Sequence, residues 1–247
     1  MQKIFISSFC VLFEDYDLLE QLCKSCPEVP MGAELGTSWP IPNFDELLDS
    51  QVPHFAGGPV TLHAPFVEIS GAPDSPERAA MEAAFAKAFR WYHLFGAESM
   101  VMHTHERAVP ADERAQLQEW SLEAIRSVAA RAKAEGLHLT VENVGFPFKD
   151  SVLLDQDEFV KMFDELPDEV GALIDTGHAI CTTPTACMIC TGRCSRRACG
   201  IPRRRWNGSC GRSAARRRTR IWYWNMYPAR TSPPSFSDGT PFVWQTA

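Results

Sequence analysis

A chain of 247 residues with 45% apolar side chains can fill one large core, and a single α/β barrel typically needs about 250 residues. No apolar run approaches the roughly 18–20 residues of a membrane span, which excludes a helical membrane protein. The net charge of −7 joins two unlike parts: residues 1–179 carry 12 Lys and Arg against 30 Asp and Glu, a net of −18, while residues 180–247 carry 12 Arg and one acid, Asp238, a net of +11.

The amino-terminal run, Lys3 followed by IFISSFCVLF, has the charge and apolarity of a weak signal peptide. It lacks a small-residue cleavage site and passes straight into Glu14, Asp15 and Asp17, so it reads as a first strand and the protein is expected to be cytoplasmic. Cys23 and Cys26 form a CxxC on an apparent helix beside Leu18, Leu19 and Leu22, where they are packing residues rather than a redox pair. VPMGAELG gives a second strand carrying Glu34, and PVTLHAPF a third carrying His63, with Phe66 just beyond it. Ser75 to Phe95 is rich in Ala, Glu and Arg and reads as a helix with Trp91, Tyr92 and Phe95 in the core. ESMVMHTH is a fourth strand ending at His103 and His105. A helix follows over Ala111 to Glu135, closed by Gly136. LHLTVENV, an acidic helical segment and EVGALIDTGH complete the pattern.

Continuous apolar strands alternating with helices predict a parallel sheet covered on both faces. Six such units in 179 residues is about 30 residues each, the spacing of a (β/α)8 TIM barrel. Two units are still owed, yet residues 180–247 show neither strand runs nor helical periodicity. Six of the nine cysteines fall there, among RRRW, RRRTR and IWYWNMY.

Translation in a wrong frame accounts for this composition, and the genetic code tests it. If each codon starts at the third base of the one before it, Ile221 to Tyr227 become Met or Leu, Val, Leu, Glu, His or Tyr, and Val. That is a buried strand ending in a glutamate, as an eighth barrel strand should be. The same shift forces an Asp from Met188 with Ile189 and a Glu from Trp206 with Asn207, turning Arg-rich sequence acidic. The expected organisation is a barrel domain over 1–179, incomplete as written, followed by an out-of-frame and disordered segment over 180–247.

Four strand ends carry metal-capable side chains: His63; His103 and His105; Glu142 with Asn143; and Asp175 with His178. A single histidine at a strand end is more often a hydrogen-bonded core or rim residue. Four together, at the carboxyl ends of parallel strands where such barrels keep their chemistry, point to a site. Imidazole and carboxylate in one set suit zinc, manganese or iron better than calcium.

The VENV and IDTGHA segments, with the looser HAP and MHTH, resemble the xylose isomerase-like barrel superfamily and in particular its sugar phosphate isomerases and epimerases. The resemblance implies a divalent metal (Mn, Zn, Mg or Co) on Glu142 and Asp175, with His178 touching substrate or a second metal. A seventh-strand histidine and an eighth-strand glutamate complete the family's site; the sequence as written has neither, and only the glutamate reappears in the shifted frame. The implied reaction is proton abstraction next to a carbonyl through an enediolate, with Glu142 as base and ligand and His178 as a further catalytic group. Glu34, His63, His103 and Asn143 would contact a small sugar or sugar phosphate, and Phe66, Phe146 and Phe148 would wall the pocket.

Apurinic-site endonucleases share this fold, and His63, His103, Glu142, Asp175 and His178 also match positions of their three-zinc site. A face that binds DNA needs Lys and Arg to displace phosphate counterions, so the acidic balance of 1–179 argues against nucleic acid as a partner. A third reading takes the tail as a basic nucleic-acid-binding or metal-binding module. The spacing of Cys187, Cys190, Cys194 and Cys199 is a poor match to zinc sites.

Overall fold

The structure is a computed structural model and describes residues 3–25, 28–145, 152–175 and 177–178. Six strands, β1 (Ile4–Ser7), β2 (Met31–Gly36), β3 (Val60–His63), β4 (Met100–His103), β5 (Leu139–Glu142) and β6 (Gly171–Leu173), form one sheet in sequence order. Every neighbouring pair is parallel, with Ser7 opposite Glu34, Gly36 opposite His63 and His103 opposite Glu142. Between them run α1 (Tyr16–Lys24), α2 (Phe44–Ser50), the short α3 (Val52–Phe55), α4 (Pro76–Phe95), α5 (Arg114–Glu135) and α6 (Gln156–Met162). This is the expected barrel architecture as far as a six-stranded partial barrel. The remaining two units and the 180–247 tail lie outside the described residues, as do Cys26, Phe146 and Phe148.

Sequence signals set the helix limits. Ser75 caps α4 by accepting from the Arg78 amide, Pro76 occupies the first turn, and Gly96 ends it at φ 63°. Gly136 ends α5 at φ 75°, a left-handed position where glycine meets no Cβ penalty. The Asp155–Glu158 pair forms a capping box on α6. The expected helix from Ala111 starts later, because the Glu113 amide donates to the Pro110 carbonyl and makes a turn first.

β3, β4 and β5 are buried along their whole length, since helices cover one face and the barrel interior the other. Trp91, Phe85, Phe89 and Phe95 of α4 pack into that core with Leu62 and Met100. Cys23 sits on α1 and donates its thiol hydrogen to the Gly32 carbonyl at 3.2 Å, a packing role. The outer strands differ. Ile4 of β1 is 50% exposed and Ile174 just after β6 is 41% exposed, and among the described residues no strand pairs with the outer edge of either β1 or β6.

Candidate metal centre

Parallel order brings the carboxyl ends of all six strands to one rim, and the register aligns their last residues. His103 and Glu142 face each other across β4 and β5, with His63 one strand further on. The loop after β6 then returns Asp175 and His178 toward Glu142. The Asp175 amide donates to Asn143 Oδ1 at 2.7 Å, and Asn143 Nδ2 donates to the Asp175 carbonyl at 3.0 Å. This two-way pairing extends the β5–β6 ladder past its last strand residues. Asn143, expected to bind substrate, spends both ends of its amide on that backbone.

The ligand-capable atoms fall into two groups that share Glu142: His63, His103 and Glu142; and Glu142, Asp175 and His178. Within each group they lie within 4.8 Å of one another. His63 Nδ1 donates to the Ala64 carbonyl at 2.8 Å, which turns its Nε2 inward to 3.2 Å from His103 Nε2. His103 Nε2 lies 3.6 Å from one Glu142 oxygen, and His178 Nδ1 3.3 Å from the other. His178 Nδ1 also donates to the Asn143 carbonyl at 2.8 Å, while its amide donates to Asp175 Oδ1 at 2.8 Å.

Burial would raise the pKa of Glu142, but hydrogen bonds and charge from His103, with His178 beside them, hold its carboxyl well below the usual range. The same contacts work on the rings. Burial disfavours the His103 cation, yet Glu106 and Glu142 outweigh it and lift its pKa well above that of free histidine. His178 moves the same way, with Glu142 overcoming burial. His63 has no carboxylate partner of this kind, and burial and then the charge on His103 push it down to about 4. Glu34, deep in the barrel, is pushed up to about 7 by burial and then by Glu142.

His105 does not belong with the others. The Leu153 amide donates to its Nε2 at 3.4 Å, its Nδ1 is 3.0 Å from the Thr104 hydroxyl, and it joins neither ligand group. β4 ends at His103, so the chain has left strand geometry before it reaches His105. Burial and then the charge on His103 take its pKa down to about 3, which keeps it neutral.

Sequence reasoning missed two features of the rim. Glu106 Oε1 lies 2.7 Å from His103 Nδ1; the carboxylate three residues after the histidine in HTHE was the available signal. Phe9 and Trp39 join Phe66 in an aromatic wall against His63, with Phe66 stacked on the His63 ring at 4.6 Å and Phe9 edge-on to Trp39 at 5.9 Å.

Gly145 makes the centre sensitive to a single methyl group. A Cβ there would come 2.4 Å from the His178 carbonyl oxygen and 2.7 Å from its Cα. Gly145→Ala is therefore expected to push His178 away from Glu142. The check is weaker metal binding with unchanged far-UV circular dichroism.

The described residues offer no helix long and apolar enough to cross a membrane. No curated protein sequence matches the chain. Among solved structures, the chain is similar to a zinc chloride-soaked protein, TTHB071, from Thermus thermophilus, at 19% identity and TM-score 0.54, over 73% of this chain and 68% of that one. It is also similar to a D-psicose 3-epimerase from Clostridium cellulolyticum H10 with D-tagatose, at 17% identity and TM-score 0.56, over 72% of this chain and 64% of that one. An IolI protein with a bound zinc atom matches at 16% identity and TM-score 0.55, over 72% and 64%. The chain thus spans about two thirds of the length of these relatives, and identities this low speak for the fold alone. Residues 40–192 match the family model described as a xylose isomerase-like TIM barrel, and over that stretch, more than half its length, the chain belongs to the xylose isomerase-like TIM barrel family.

Proposed function

We propose that the chain derives from a metal-dependent isomerase or epimerase of a sugar or sugar phosphate, and that it carries most of that enzyme's site. The observation that supports this reading best is Glu142: a buried carboxylate, held ionised by two histidines, where two ligand-capable groups meet. The donor set fits a divalent cation such as Zn, Mn, Co or Mg, because it mixes imidazole with carboxylate and offers the cation a shared oxygen ligand. Glu142, Asp175 and His178 would hold it, and a solved structure of the same fold, an IolI protein, carries a bound zinc atom. When bound, the cation would acidify the proton on the carbon next to a sugar carbonyl.

The chain's own residues supply the rest. Glu142 takes the proton, its charge kept available by His103 and His178. His178, which carries a hydrogen on Nδ1 3.3 Å from Glu142, is placed to give its own proton back to the carbon, and His103 and His63 present ring nitrogens to the substrate's hydroxyls. Glu34, closed in beneath them, is a carboxyl that a hydroxyl can share. The aromatic wall of Phe9, Trp39 and Phe66 covers the apolar face of the sugar and keeps water out. The epimerase relative with D-tagatose makes a ketose the first substrate to try.

The deciding experiment is solvent deuterium incorporation next to the carbonyl of a ketose, with manganese present. Incorporation that disappears in Glu142→Gln supports the reading. None from the chain as written, nor from a version with its frame restored after codon 179, would overturn it. The same two proteins test the zinc phosphodiesterase reading, which the approach of His63 and His103 to Glu142 favours. Metal-dependent incision of an abasic duplex would replace the isomerase assignment.

The domain organisation belongs to this proposal too: a barrel domain over 1–179, and a segment over 180–247 read out of frame. The family match extends 13 residues beyond that boundary, to residue 192. Sequencing the DNA across codons 175–230 decides between a lost base and a genuine tail.

A further inference from the structure

We propose that Glu106 is a positioning residue of the metal centre: its carboxylate fixes the His103 ring so that Nε2 faces Glu142 and His63. The proposal rests on the metal-centre reading above but concerns a residue which that reading does not use. A carboxylate can only accept at the His103 Nδ1 contact of 2.7 Å, so Nδ1 must carry the hydrogen. The nitrogen left for a cation or a substrate is then Nε2, which already points inward at 3.2 Å from His63 Nε2 and 3.6 Å from Glu142. His63 reaches the same orientation by donating to the Ala64 carbonyl, a neutral acceptor. A carboxylate partner also raises the donor strength of the ring, and such outer partners are typically worth about 10–100-fold in metal affinity.

The surroundings hold Glu106 in place. The His103 side chain is 2% exposed and that of Glu106 18%. The next residue, Arg107, lies 3.6 Å from Glu68 and 3.2 Å from Glu113, which ties the loop after β4 to the loop after β3 and to the start of α5. The loop therefore presents Glu106 to His103 from a braced backbone. A free surface side chain would have to give up its rotational freedom to do the same.

The test uses the full chain at low micromolar concentration, titrated with zinc against a chromophoric chelator. Glu106→Gln is expected to weaken zinc binding by the group of His63, His103 and Glu142 about 10–100-fold, because an amide can turn its NH2 toward Nδ1 and reverse the ring's proton. Glu106→Asp should recover part of the loss. Glu113→Gln, which removes one brace but leaves the carboxylate on His103, should cost less affinity than Glu106→Gln. Equal losses in the two, or no loss in Glu106→Gln, would overturn the proposal.

A second readout needs no metal. Solid-state NMR of 15N-histidine-labelled protein, at a pH high enough to leave the ring neutral, should show His103 protonated at Nδ1 in the wild type and shifted toward Nε2 in Glu106→Gln. An identical pattern in both would also overturn the proposal. If the ring pattern holds while the wild type binds no zinc, the metal-centre reading fails and the positioning of His103 by Glu106 stands.

Discussion

Adding one base ahead of codon 180 is expected to convert a self-associating chain into a monomer that melts cooperatively. Among the described residues the sheet stops at six strands, no strand pairs with the outer edge of β1 or β6, and Ile4 and Ile174 are exposed beside them. An eight-stranded barrel has no edges, whereas an open parallel sheet presents rows of unpaired amides and carbonyls to any chain that can pair with them. The 68 residues from 180 to 247 are the length that two more βα units need at about 30 residues each. The solved relatives extend beyond the shared part by about a third of their own length. In the shifted frame, codons 221–227 give a strand with a glutamate, which would pair with β1 and bring a further carboxylate to the rim.

Size-exclusion chromatography with light scattering checks this prediction. The 247-residue chain should grow in mass as its concentration rises, and the repaired protein should stay at one mass and show a single thermal transition. A stop codon early in the shifted frame, or a concentration-independent monomer from the chain as written, would sink the frame argument.

The barrel was legible in the sequence because its signal repeats. Each apolar run is short, each is followed by a helical stretch, and a run such as MVM is apolar on both faces, which a doubly covered parallel strand requires. The metal-capable residues were legible for the same reason, since each closes a run. What sequence alone could not settle depended on where strand geometry stops. His103 and His105 share a face only if the strand continues, and β4 ends between them. Asn143 follows Glu142 directly, so it turns away from the interior and toward the β6 backbone, where Asp175 takes up its amide. Glu106 lies in a loop, where no periodicity assigns a direction, and its role emerges only from the 2.7 Å contact with His103. The aromatic wall has the same origin: Phe9, Trp39 and Phe66 come from three successive loops and meet only once the strands are aligned.

Glu142→Gln should cost more metal affinity than any other single change, because Glu142 belongs to both ligand-capable groups. Loss of an outer partner typically costs about 10–100-fold, and losing the shared carboxylate should exceed that range in the same chelator competition. The pH dependence follows from the rings around it. His103 and His178 have raised pKa values in the metal-free protein, so below those values a cation must displace their protons. Apparent affinity should therefore rise with pH, by up to about tenfold per unit for each proton released. Stability of the metal-free protein should run the other way for these two rings. Their raised pKa values give stabilisation that is fully present below the unfolded histidine value, about 6.5, and is lost as pH rises through their folded values. Glu142 has a lowered pKa, so its share is present above the unfolded value of about 4.5 and is lost as pH falls through the folded one. In Glu142→Gln both rings lose their shared counter-charge, so their pKa values should fall and the rise of affinity with pH should flatten near neutrality. A variant that binds zinc as the wild type does, with the same pH profile, would show that Glu142 is not where the two groups meet a metal.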